Sequence, residues 1–168
     1  MKIIIRDEQL EDIPAIAELT RAAFQNADHS SHTEQFIVNV LRKHGQLTIS
    51  LVALENNQLV GHVAISPVSI SSGETGWYGL GPISVLPAKQ GQGIGALLMQ
   101  AVLDRLQNLG AEGCVVLGDP QYYGRFGFKA FSELYLKDVP PEYFQVIAFN
   151  GSIPHGEVVY HEAFNVTQ

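Results

Sequence analysis

Gln90-Gly91-Gln92-Gly93-Ile94-Gly95 has the residue types and spacing of an anion site. Before it lies LGPISVLPAK, an apolar run with a strand core at Ile83 and Val85. After it, Ile94, Leu97, Leu98, Ala101, Val102, Leu106 and Leu109 recur three and four apart, which is the period of a helix with one buried face. The glycines therefore fall where an extended segment turns into a first helical turn. That turn carries unpaired backbone N–H groups and a partial positive charge. Glycines let a phosphate come close to the backbone. The chemistry implied is capture of a phosphate-bearing ligand by main-chain donors. The other reactive side chain, the single Cys114, sits in GCVVLG, where an inert buried strand residue is expected rather than a nucleophile.

The elements that must position this loop follow from periodicity. Lys2 to Arg6 is a short β-branched run and predicts a first strand. Asp12-Ile13-Pro14 opens a helix with Ile13, Ile16, Ala17, Leu19, Ala23 and Phe24 approximating one face. Asn26 to His32 is a polar loop, and Thr33 to Lys43 a second helix ended by Gly45. Thr48 to Glu55 and Leu59 to Val68 are extended and joined by a turn at Asn56-Asn57. A further strand runs from Trp77 to Leu86, and Gly79, Gly81 and Pro82 interrupt it. Proline cannot donate to a ladder, so a bulge or a parting of strands is expected there. Helix 94–109 ends at Gly110, and Cys114 to Leu117 is a fully apolar strand. Asp119-Pro120 starts a short helix through Tyr122, Tyr123 and Phe126. Strand-like runs at Phe131 to Leu136, Tyr143 to Phe149 and Glu157 to Tyr160 follow. The order predicts an α/β (α+β) domain over residues 1–168 with a mostly antiparallel sheet.

Composition narrows the function classes. A chain of 168 residues, 46% hydrophobic and 16% charged, suits one globular domain with its own core. The net charge of -7, with no Lys/Arg block, argues against nucleic acid. No apolar run approaches the roughly 20 residues of a membrane span, and the N-terminus does not read as a signal peptide. One cysteine excludes an intramolecular disulfide framework, so a reducing, cytoplasmic location is expected.

Three phosphate ligands compete for the loop. A P-loop needs Gly-Lys-Ser/Thr at its end, and Gly95 is followed by Ala96-Leu97. A dinucleotide fingerprint is met by Gly91, Gly93 and Ala96, with Asp119 about twenty residues on. Against it, Leu86 to Gln90 separate Val85 from the first glycine, whereas that fingerprint turns directly out of its strand. The third ligand is coenzyme A. LGPISVLPAKQGQGIGALL resembles motif A of the GNAT N-acetyltransferases, whose Gln/Arg-x-x-Gly-x-Gly/Ala loop is filled here by Gln90, Gly93 and Gly95. GDPQYYGRFGF resembles the family's segment after its fifth strand, with Tyr123 four residues before Gly127-Phe128. The wording is that of the YhbS-like branch, and the element order is similar along nearly the whole chain.

The resemblance implies a GNAT-like fold, with helices on both faces of a mixed, mostly antiparallel sheet. It also implies direct acetyl transfer from acetyl-CoA, as co-substrate, to a primary amine. It gives the loop amides of Gln90, Gly91, Gln92, Gly93, Ile94 and Gly95 to the pyrophosphate. It gives the backbone of Ile83, Ser84 and Val85 to the pantetheine arm and thioester. Tyr123 becomes the general acid for the coenzyme A thiolate, since a phenol near pKa 10 can serve a thiolate near 8.5 while remaining protonated. Tyr122 is expected to pack the short helix, with only one of the two tyrosines facing ligand. Asp119 departs from the asparagine often found there and is read as a helix cap.

No carboxylate lies on the fourth strand between Leu80 and Leu86 to act as base. Glu34, Glu55, Glu74, His29 and His32 are the available groups, and each reads first as a solvated side chain. Asp28, His29 and His32 have a metal-like spacing, but zinc usually needs four defined ligands, so no metal is expected. Trp77, Tyr78, Phe24 and Phe36 could shape the acceptor pocket, although each reads first as ordinary core packing. The acceptor is expected to be a small-molecule amine or a peptide, and the chain to act alone or as a homodimer. The rival reading is a non-catalytic acyl-CoA-binding regulatory module on the same fold.

Overall fold

The computed structural model describes residues 2–27, 30 and 32–166. Strand β1 (Ile3–Asp7) leads into helices α1 (Ile13–Phe24) and α2 (Glu34–Lys43). Strands β2 (Ile49–Glu55), β3 (Gln58–Ile70) and β4 (Trp77–Val85) form an antiparallel meander with β1 at its edge. Asn56 and Asn57 both have positive φ, 52° and 64°, the geometry of a two-residue hairpin whose twist matches its strands. Helix α3 (Ile94–Asn108) crosses over to β5 (Gly113–Leu117), which pairs parallel to β4. Short α4 (Pro120–Gly124), β6 (Leu134–Tyr135), β7 (Phe144–Ala148) and β8 (Gly156–Tyr160) complete the chain. The sheet order is β1-β2-β3-β4-β5-β7, while β8 returns to pair with the far end of β3 through Val68–Ile70.

Alternation along the strands separates two faces. On one, Leu51, Ala53, Val63, Cys114 and Val116 pack under Ile94, Leu98, Val102 and Leu106 of α3. The helix lies close because Gly61 has no side chain: a Cβ there would stand 2.9 Å from Leu98 Cδ1. On the other face Val52 packs against Ile16 of α1 and Val38 of α2. This second face also buries polar groups. Ser50 Oγ donates to Glu8 Oε1 at 2.7 Å and lies 2.8 Å from His62 Nε2, while Arg42 pairs with Glu8 at 2.7 Å.

The expected strands and helices are present with shifted ends, apart from Phe131 to Leu136. Only Leu134–Tyr135 is strand there, because its pairing with β8 covers just those two residues. Asp12 gives no side-chain cap to α1. Its carboxylate instead holds Arg6 at 2.6 Å and accepts the Gln9 N–H at 2.7 Å.

The interruption in β4 separates it from β5. Rungs Trp77–Gly113 through Leu80–Val116 join the two strands, and the pairing stops there. On the β3 side the register skips from Val63–Ile83 to Ile65–Leu80, leaving Gly81-Pro82 out of the ladder. Proline's missing donor makes this the natural place for the ladder to fail. Beyond it, Ile83–Val85 keep β3 on one side and have lost β5 on the other.

Candidate active site

The glycine loop and the strand fork adjoin. After Val85, a 3-10 turn at Pro87–Lys89 delivers the chain to Gly91 and Gly93, at φ 78° and 86°, values that side-chain-bearing residues avoid. Gly93 is the N-cap of α3, and the N–H groups of Ile94, Gly95 and Ala96 begin the helix without intrahelical acceptors. Gln90 turns its side chain back: Nε2 donates to the Val85 carbonyl at 3.1 Å and ties the loop to β4. A cavity of about 420 Å³ lies over this loop. Among the described residues its walls carry two cations, Lys89 and Arg125, and no carboxylate. Lys89 also pairs with Glu55 at 2.7 Å, and Arg125 stacks over the Tyr122 and Phe126 rings at 5.2 and 5.3 Å.

Strand alternation sorts the three β4 residues. The Leu86 N–H donates to Val60 O across β3 at 2.9 Å, so Ser84, two residues before, also turns its amide toward β3. Ile83 and Val85 therefore face the side that β5 has vacated. The Ser84 amide belongs to the ladder, and its hydroxyl is buried on the α1–α2 face without a partner. The expectation for Ile83, Ser84 and Val85 thus narrows to Ile83 and Val85 as outward-facing main-chain groups.

Of the two tyrosines of α4, Tyr122 lines the loop cavity, whereas Tyr123 lines neither cavity. Asp119 Oδ1 accepts the Gln121 N–H at 2.9 Å and caps α4, as the sequence suggested. Tyr122 lines the loop cavity, and its hydroxyl occupies space that a side chain at Gly95 would need, 2.7 Å from a Cβ placed there. The expectation that one tyrosine merely packs is corrected to this extent. Tyr123 is turned inward, its ring against Gly118 and edge-on to Phe128 at 6.2 Å. Burial, then the neighbouring Tyr122 and Asp119, push its phenol up to about 12, so it stays protonated.

A second cavity of about 510 Å³ opens at the fork. Leu80, Gly81 and Pro82 form one wall with Leu117. Phe24 and Glu34 from the helical pair and Tyr160 from β8 form others. Glu34 accepts hydrogen bonds from Ser30 Oγ at 2.8 and 2.6 Å, and Glu157 and Lys137 also line the space. Among the described groups considered as bases, only Glu34 is brought here: Glu55 is paired with Lys89 and Glu74 sits in an exposed turn against Ser72. Among the aromatic residues, Phe24 lines the cavity, Trp77 is buried among Val115, Leu134 and Val146, and Tyr78 packs toward the α3 core.

Asp28 and His29 lie outside the described residues, and His32 is exposed with its N–H on Ser30 Oγ. Elsewhere, ligand atoms of His44, His161 and Glu162 come within 4.8 Å of one another. His161 Nδ1 accepts the Ala163 N–H, which leaves its proton on Nε2 and removes that lone pair from coordination. Cys114 is buried and burial pushes its thiol well up, as expected of an inert strand residue.

Lys89, Arg125 and Tyr160 escaped the sequence reading. Lys89, next to the glycine loop in the sequence, carried a signal; Arg125 lies far along the chain, after β5, and nothing in the tail marked Tyr160.

Residues 13–128 match the model of the Acetyltransferase (GNAT) family. The chain is 37% identical to a protein of Escherichia coli (strain K12) described as the uncharacterized N-acetyltransferase YhbS, covering 97% of this chain and 99% of that one. A crystal structure of a GNAT family acetyltransferase from Brucella melitensis in complex with acetyl-CoA superposes with a TM-score of 0.87. The identity is 48%, over 97% of this chain and 98% of that chain. The structure of Escherichia coli YhbS in complex with CoA gives a TM-score of 0.89 at 34% identity, over 100% and 94%.

Proposed function

The chain belongs to the GNAT acetyltransferase family, and from that premise we propose that it moves the acetyl group of acetyl-CoA directly to a primary amine of a small molecule or peptide. The carrying observation is the continuity of β4. It runs from the cationic loop cavity at Val85 to the fork cavity at Leu80, with the outward-facing groups of Ile83 and Val85 between them. The pyrophosphate rests on the amides from Gly91 to Ala96, with Lys89 and Arg125 adding charge. The pantetheine arm adds itself to β4 where β5 has left. The relatives' complexes with acetyl-CoA and CoA support this ligand.

The acceptor enters through the fork cavity, where Glu34 and Glu157 favour a cationic amine. Once neutral, its nitrogen attacks the thioester carbon; the C–N bond forms and the C–S bond breaks. Tyr123 donates its phenolic proton toward the departing sulfur. A thiolate in the same dry site also has a raised pKa, which narrows its mismatch with a phenol at about 12. The amine proton leaves to solvent, and Tyr123 recovers its proton from solvent before the next turnover. A single buried cysteine and no helix among the described residues long and apolar enough to cross a membrane suit a cytoplasmic setting.

Thiol release from acetyl-CoA across a panel of amines and peptides tests the reading. Release that depends on one amine class is expected. Tight coenzyme A binding with no transfer to any acceptor would favour a non-catalytic acyl-CoA-binding module instead.

A further inference from the structure

Tyr160 ends β8, beyond the residues 13–128 that the family model matches. Its ring lies across Gly79 of β4. A Cβ at Gly79 would stand 2.9 Å from Tyr160 Cε2, so the ring reaches this position only because the strand has no side chain there. Phe164 holds the ring edge-on at 4.9 Å. These contacts orient the side chain and account for the ring, but not for its oxygen. Tyr160 lines the fork cavity, while its hydroxyl is buried and has no hydrogen-bond partner.

An unsatisfied buried hydroxyl costs about 1–3 kcal/mol, and phenylalanine would make the same packing contacts without that penalty. The position of the oxygen suggests its use. Gly79 pairs with Val115, one rung before the last rung joining β4 to β5. The Tyr160 ring therefore reaches the fork from the β8 side of the sheet, while Tyr123 is turned inward from α4 against Gly118, the residue after Leu117 of the fork cavity. The two are close enough that Tyr123 and Cys114 add to the burial that keeps the Tyr160 phenol protonated.

We propose that Tyr160 donates its hydroxyl hydrogen to the carbonyl oxygen of the acetyl group and holds it as that oxygen becomes negative. The proposal rests on the acetyl-CoA reading above. As the amine adds, the carbonyl π pair moves onto oxygen; as the intermediate collapses, the pair returns and sulfur leaves. Tyr160 gives a hydrogen bond throughout and never gives up its proton. The carbonyl oxygen has two lone pairs, so the outward-facing N–H of Ile83 can serve as the second donor.

The test is isotope-edited infrared spectroscopy of [1-13C]acetyl-CoA bound to wild-type protein and to Tyr160→Phe, with thermal melting and coenzyme A affinity measured alongside. The variant should bind coenzyme A unchanged and melt at the same temperature or higher, because an unsatisfied group is gone. Its bound carbonyl stretch should shift to higher wavenumber. With any amine that wild type accepts, kcat should fall about 10²-fold, as for loss of one oxyanion donor. An unchanged stretch in a folded, acetyl-CoA-loaded variant would overturn the proposal, as would a raised amine KM at unchanged kcat. Wild-type protein that fails to bind acetyl-CoA would remove the reading beneath it, a different and separately visible result.

Discussion

Tyr122 and Tyr123 are neighbours in sequence and sit in different environments, one at the glycine loop and one in the sheet's interior. The offset of Tyr123 from Gly127-Phe128 was legible in the sequence. The place of Tyr122 was not, because it depends on how α4 packs against the first turn of α3. Tyr160 was still less visible, since a tyrosine in an alternating strand carries no sign of the glycine it will cover. His62 shows another limit. It reads as an ordinary strand residue, yet it is fully buried, and desolvation, only partly offset by Glu8, takes it down to about 4. The unfolded chain then binds a proton near pH 6.5 that the folded protein refuses until about pH 4. Stability is complete above pH 6.5 and is lost as pH falls toward 4. At pH 5 this amounts to about 2 kcal/mol, read from urea unfolding at pH 7 and 5. Burial opposes ionisation of Glu8, but hydrogen bonds from Arg42 and Ser50 outweigh it and hold its carboxyl below the usual carboxylate range, so Glu8 adds to the loss of stability once pH falls past that range. His62→Gln should flatten the dependence; a variant that keeps the full slope would assign it to other groups.

At the scale of elements, the fork and the loop were the most legible features. Gly81-Pro82 announced a break in β4, and pairing with β5 ends one residue earlier, at Leu80. The sequence did not reveal which amides would face outward, because that follows from the register with β3 rather than from composition. It also gave Ser84 a ligand role that the ladder has taken. The α3 start carries a sharp prediction. Gly93 stands at φ 86°, a region that aspartate tolerates better than most residues, so Gly93→Asp should fold. Its carboxylate would face the pyrophosphate. Like charges about 4 Å apart at a partly screened site repel by about 4 kcal/mol, so coenzyme A affinity should drop about 10³-fold by calorimetry. A folded variant with undiminished affinity would move the pyrophosphate elsewhere.

Across the whole molecule, the order of strands and helices was readable because each element carries its own period. Long-range pairing was not. Nothing local says that β8 returns to the far end of β3, yet that return closes the fork cavity and delivers Tyr160. The chain is acidic at -7, yet the loop cavity is lined by Lys89 and Arg125, while the fork cavity carries Glu34 and Glu157 together with Lys137. Acetyl transfer along β4, with Tyr123 beside the leaving sulfur, is the reaction proposed for this strand. Its most direct test is kcat for Tyr123→Phe at saturating acetyl-CoA, measured with the coenzyme A dissociation constant. The predicted result is a fall of about 10²-fold in kcat with binding unchanged. A kcat equal to wild type, when transfer limits the rate, would contradict it.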